Sequence, residues 1–193
     1  MASDVRHRIL ATTLDLIGER GIGGVSNRVI AKAAGVSLGT LTYHFASQER
    51  LLGEALNLFV AEEVERLAII AEELEGTTVT LQEALAKARE VIEDRPSRQA
   101  EIAQLELYLH ATRSDDLRDA AARCYAAYDQ VATAMLKAVG VPEPERFAPL
   151  LGGLIDGFEL RRLAAGDLAI DLDEAVAILV GGMAGRTDGR RPR

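Results

Sequence analysis

A chain of 193 residues with 48% hydrophobic side chains has enough apolar material for a packed core, which excludes the disordered class. Its longest nearly unbroken apolar run, residues 175–185, is too short to span a bilayer, and Asp4, Arg6, His7 and Arg8 open the chain without an apolar leader, so a cytoplasmic location with no membrane partner is expected. The net charge of −8 argues against a nucleic-acid partner only until it is divided: Arg6, Arg8, Arg20, Arg28, Lys32 and Arg50 outnumber Asp4, Asp15, Glu19 and Glu49 within residues 1–50, leaving +2 there and −10 on the rest.

The first helix is expected to start at a Ser3 cap with Asp4 in its first turn, to bury Ile9, Leu10, Thr13, Leu14, Leu16 and Ile17, and to end at Gly21. Residues 22–25 then form a turn. Ser26 caps a short helix whose Val29, Ile30, Ala33 and Ala34 share one face, and Gly35 stands where a left-handed residue closes such a helix. Ser37 caps the next, Leu38 to His44. Two short helices joined by a tight Gly-containing turn read as a helix-turn-helix, whose second member enters a DNA major groove.

Those residues also carry a family likeness. Ile30-Ala31, Ala34-Gly35-Val36-Ser37, Gly39-Thr40-Leu41, Tyr43-His44-Phe45 and Ser47-Gln48-Glu49-Arg50-Leu51-Leu52 resemble the TetR family of transcriptional regulators. The likeness covers about the first quarter of the chain. It implies a three-helix DNA-binding domain over 1–46 and a larger helical ligand-binding and dimerisation domain over 47–185; helical spacing without any alternating strand pattern predicts an all-α fold of about nine helices, and the Gly- and Arg-rich residues 186–193 predict a flexible tail. The likeness also implies that the last two long helices pair with those of a second subunit. The positions matching the family's DNA-facing surface are Ser37, Leu38, Gly39, Thr40, Tyr43 and His44, joined by Ser26, Asn27 and Arg28 from the preceding helix and by Gln48. Leu41 and Phe45 are assigned to the core. Leu38 and Gln48 stand where many relatives carry lysine, so the salt dependence of DNA binding is expected to be shallow.

Beyond Ser47 a long fourth helix places Leu52, Leu56, Phe59, Val60, Val64, Leu67, Ala71 and Leu74 on one face, with Glu62, Glu63, Glu65, Glu72 and Glu73 on the other. Further helices are expected over 81–94 (stopped by Pro96), 98–112, 114–139, 145–165 and 173–183. Gly152, Gly153, Gly157, Gly181 and Gly182 fall inside the last two. A helical glycine costs about 1 kcal/mol relative to alanine, so close approach of another helix is the expected compensation.

Tyr108, Cys124, Tyr125, Tyr128 and Phe158 are candidate ligand contacts, although aromatic side chains at helical spacing fill a core as readily as they line a pocket. Three histidines and one cysteine at no metal spacing lead to no expected metal site, and no cofactor is expected. With no phosphate loop, nucleophile elbow or zinc-type His pair, the chain is expected not to be an enzyme. The expected function is a homodimeric regulator, a repressor released from a near-palindromic operator by an unknown small molecule. The alternative is a DNA-binding regulator without small-molecule input, whose larger domain only dimerises or recruits a protein partner.

Overall fold

The computed structural model describes residues 2–93, 98–166 and 168–185, and all regular structure among them is helical. Helices α1 (Ala2–Arg20), α2 (Asn27–Ala33), α3 (Leu38–His44), α4 (Gln48–Leu74), α5 (Leu81–Glu93), α6 (Arg98–Ala111), α7 (Asp115–Ala138), α8 (Pro144–Ala165) and α9 (Leu172–Gly185) follow in order, with a 3-10 turn at Ile22–Gly24. Ser3 lies inside α1 and does not cap it, because the helix already starts at Ala2. The expected 186–193 tail and the Pro96 stop lie outside the described residues. Among the described residues no helix is long and apolar enough to cross a membrane.

The chain divides into two compact units. The first contains α1 to α3, α4 as far as Val64, α6, and α7 as far as Cys124. Ile9, Leu10, Leu16 and Ile17 from α1 are buried there with Ile30, Leu41, Phe45, Leu51 and Leu56. Thr13 shares this face without penalty, since its hydroxyl donates to the Ile9 carbonyl at 2.7 Å. α1 packs on α6 with no side chain between them at one point: a Cβ built on Gly18 would lie 2.2 Å from the Gln99 carbonyl oxygen. Gly18 is therefore the close-approach glycine of the first unit.

Glu63 departs from expectation. It is 4% exposed and does not share the solvated face with Glu62 and Glu65. Its place in the series 56, 60, 63, 67 puts it on the face that buries Leu56, Val60 and Leu67.

The second unit holds the rest of α4 and α7 with α5, α8 and α9. Its core joins Ala132 and Leu136 of α7 to Ala148 and Leu151 of α8 and to Val176, Val180 and Met183 of α9. The loop before α5 is sewn to the end of α7 by Val79 N–H donating to the Ala138 carbonyl at 3.0 Å. Thr80 and Glu83 then form a reciprocal capping box: the Thr80 N–H donates to the Glu83 carboxylate at 2.8 Å and the Glu83 N–H to the Thr80 hydroxyl at 3.2 Å.

In this unit burial pushes the Asp129 carboxyl above its ordinary value; its Oδ1 lies 3.8 Å from where a Gly152 Cβ would stand. A carboxyl raised on folding favours the folded chain while it is protonated, and that contribution is lost as pH rises through the folded value. Asp129→Asn is therefore expected to raise the melting temperature at pH 7, with the difference closing below pH 3.8, the ordinary value for the group. Melting curves at both pH values check it.

Candidate DNA interface

The turn between α2 and α3 is built by local chemistry. Ser26 accepts a hydrogen bond from Val29 N–H at 3.4 Å at the start of α2. At its end Ala34 is the C-cap, Gly35 takes φ +65°, and Val36 N–H reaches back to the Ala31 carbonyl at 3.0 Å. With Gly35 N–H on the Lys32 carbonyl at 3.3 Å, this is a Schellman motif, and its left-handed residue has to be glycine-like. Ser37, next but one, is extended and accepts from Thr40 N–H at 2.9 Å, so α3 starts at Leu38. Leu41 and Phe45 lock the underside of α3 into the core at 0% exposure, as expected from the sequence.

The outer side of α3 is then fixed. Tyr43 is 85% exposed and meets the His44 ring edge-on, with centroids 5.3 Å apart. Leu38 and Gly39 are exposed beside it, and Thr40 is half-buried with its hydroxyl 2.8 Å from the Ser37 hydroxyl. On α2, Arg28 and Lys32 are exposed. Asn27 is half-buried, and its Oδ1 is buried with no hydrogen-bond partner among the described residues. Gln48 donates its amide to the Val25 carbonyl at 2.5 Å, tying the start of α4 to the loop before α2. Residues of this kind supply phosphate contacts (Tyr, His, Ser, Thr), base-edge contacts (Arg) and a methyl-facing apolar surface (Leu38).

A charged cluster that sequence reasoning does not single out flanks the same helix. Glu54 of α4 accepts from Arg50 Nε at 2.8 Å and pairs with Arg6 of α1. The Arg6 guanidinium also lies 5.5 Å from the centroid of the Phe45 ring, directly after α3. Arg6 and Glu54 are 48 residues apart, so no local pattern announces their meeting.

The five candidate ligand residues fall in both units. In the first, buried Gln104 donates to the Tyr108 hydroxyl at 2.7 Å, and that hydroxyl lies 3.8 Å from the buried Cys124 sulfur. In the second, Tyr125 is exposed while Tyr128 and Phe158 are half-buried. Sequence reasoning passes over Gln104, because a glutamine on a helix reads as solvated.

Two family models match. Residues 9–55 fit the bacterial regulatory proteins of the tetR family, and residues 77–186 fit a tetracyclin repressor-like C-terminal domain, together more than half of the chain. The chain belongs to the TetR family. It is thus a DNA-binding transcriptional regulator, of a family whose members bind DNA and dimerise.

The HTH-type transcriptional regulator PksA of Bacillus subtilis (strain 168) is 42% identical over 66 residues, which is 34% of this chain and 32% of PksA; the match spans about a third of that relative's length. A transcriptional regulator from Streptomyces coelicolor A3(2) is 31% identical with a TM-score of 0.64, covering 94% of this chain and 96% of that one. A transcriptional regulator from Saccharomonospora viridis, solved in complex with choline, is 25% identical with a TM-score of 0.71 and 97% of each chain covered.

For this TetR-family chain Tyr43 offers a clean test, since a side chain 85% exposed contributes little to folding. Tyr43→Ala is expected to leave the melting temperature unchanged and to weaken DNA binding about tenfold, the scale of one hydrogen bond to a charged phosphate. Fluorescence anisotropy on a labelled duplex, beside a thermal melt, reads both.

Proposed function

We propose that this regulator is a homodimeric repressor, released from a near-palindromic operator by a small molecule. The observation that carries the ligand-responsive part is the position of α6. Near its start Gln99 touches the backbone of α1 at Gly18, and further along it carries the Gln104–Tyr108 pair. A ligand that shifts α6 cannot do so without displacing α1, because a backbone crossing with no side-chain cushion has nothing to absorb the movement. α1 packs in turn on α2, so the displacement reaches the reading pair. A ligand with higher affinity for the shifted arrangement lowers DNA affinity by the same factor by which DNA lowers its own.

The dimer reading rests on α8 and α9. Leu150, Gly153, Gly157 and Leu160 form an exposed stripe at helical spacing along α8; the two leucines are 57% and 51% exposed. On α9, Ile178 is 63% exposed, with Gly181 and Gly182 exposed beyond it. Gly153, Gly157, Gly181 and Gly182 have no atom within 4 Å of where a Cβ would stand, so nothing among the described residues compensates their helical cost. A second copy laid on the stripe supplies the compensation, and the apolar side chains around it are what an obligate interface buries. Two reading helices in such a dimer address successive major grooves, about 34–36 Å apart or a related spacing.

For the effector, the choline complex of the Saccharomonospora viridis relative favours a small organic cation. A cytoplasmic location fits the DNA target. Selecting duplexes from a random pool with the purified protein, then titrating choline and larger quaternary amines, tests the function. The expected result is an enriched near-palindrome, and a cation that raises the melting temperature and releases that duplex. Cations that stabilise the protein without moving DNA affinity would contradict the coupling.

A further inference from the structure

We propose that Glu54 sets the affinity of this protein for DNA of any sequence, by holding Arg6 and Arg50 in ion pairs that phosphate must displace. The proposal builds on the DNA-binding activity of the chain and assigns a tuning role to three residues outside its reading surface.

The cluster has an unusual balance. Two guanidiniums from different helices occupy the two oxygens of one carboxylate: Arg50 Nε donates to Oε1 at 2.8 Å, and Arg6 Nη2 pairs with Oε2. Three charges leave +1. Glu54 is half-buried, while both arginines are exposed. Exposed ion pairs contribute little to folding, so stability alone does not account for a carboxylate at this position.

Its location accounts for it better. Arg50 sits in the first turn of α4, where its own N–H is held by the Ser47 hydroxyl at 3.1 Å, and Arg6 covers the ring of Phe45, the residue that ends α3. The cluster therefore borders the carboxy end of the reading helix, where a duplex lying along α3 brings its backbone past the protein. Six Lys and Arg serve residues 1–50, and one carboxylate occupies two of them.

The energetic consequence concerns specificity. Affinity for arbitrary sequence comes from phosphate neutralisation and counterion release, and base contacts add the sequence-dependent part. An arginine already paired gains less on meeting phosphate than a free one. Glu54 thus suppresses the sequence-independent part and leaves the base contacts of α2 and α3 to decide where the protein binds. It is a positioning residue: it meets the arginines and not the DNA.

The test uses the full-length protein and a 20-base-pair duplex of arbitrary sequence, with anisotropy titrations over a range of salt. Glu54→Gln is expected to tighten binding about tenfold near 0.1 M salt and to steepen the log–log salt slope by about 0.9 for each additional phosphate neutralised. Adding Arg6→Ala and Arg50→Ala to that variant is expected to abolish the gain. Unchanged or weaker binding by Glu54→Gln, or a gain that survives loss of both arginines, overturns the proposal. Should Glu54→Gln melt below the working temperature, Glu54→Asp, which keeps the charge but is too short to reach both partners, is expected to show a smaller gain of the same sign; no gain overturns the proposal equally. Wild-type protein that bound no duplex at low salt would remove DNA binding itself, a result readily told apart from these.

Discussion

Gly18→Ala is expected to destabilise the protein by about 3 kcal/mol, the upper range for forcing one carbon into a filled interior. The added methyl would lie 2.2 Å from the Gln99 carbonyl oxygen and 2.6 Å from its carbonyl carbon, and the obstruction is main chain, which no rotamer change relieves. Either α1 and α6 separate, opening the core that Ile9 and Ile17 fill, or the start of α6 unwinds. At about 2–4 °C per kcal/mol for a chain of this length, the melting temperature should fall by about 8 °C. Gly53→Ala in α4 is the control, because nothing stands within 4 Å of its added carbon. That variant is expected to match or slightly exceed the wild type. Because Gly18 is also where α6 meets the helix that supports the reading pair, Gly18→Ala protein that remains folded at low temperature should respond abnormally to any effector.

The second large effect is expected at the proposed dimer face. Ile178 is 63% exposed in the single chain, so Ile178→Glu has little to disturb in the folded subunit. Across a twofold axis the same change places two carboxylates in an apolar contact, at a cost of several kcal/mol. Dimer dissociation should therefore shift by a factor of about a thousand or more. Sedimentation velocity at micromolar concentration should show monomer for the variant and dimer for the wild type, with unchanged helical circular dichroism. Palindrome binding should be lost with the dimer, since each head alone contacts one half-site.

The reading head is legible in the sequence because its signals are local. Ser26, Gly35 and Ser37 act on backbone groups within four residues, and the structure places α3 at Leu38–His44, the limits expected from its cap and break. Five helix ends among the described residues are readable for the same reason, since Gly21, Gly35, Gly76, Gly140 and Gly166 follow α1, α2, α4, α7 and α8. What stays hidden depends on long-range pairing. Gly18 resembles any glycine near a helix end until α6 arrives against it. Arg6 and Glu54 give no sign of each other across 48 residues.

Glu63 reads as part of the solvated face because its neighbours Glu62 and Glu65 belong there, yet its spacing from Val60 and Leu67 already marks it as inward. The five candidate ligand residues show a related limit. Tyr108 and Cys124 meet at 3.8 Å across 16 residues, and a nearer partner of the Tyr108 hydroxyl, Gln104 at 2.7 Å, lies one turn away on α6.

Whether two copies of this chain read one near-palindromic DNA site is decided most directly by sedimentation velocity of the wild-type protein, alone and on the duplex it selects from a random pool. The expected result is a dimer in free solution and a complex holding two chains per near-palindromic duplex. A monomer at micromolar concentration that occupies DNA one chain at a time, on a selected site without twofold symmetry, would contradict it.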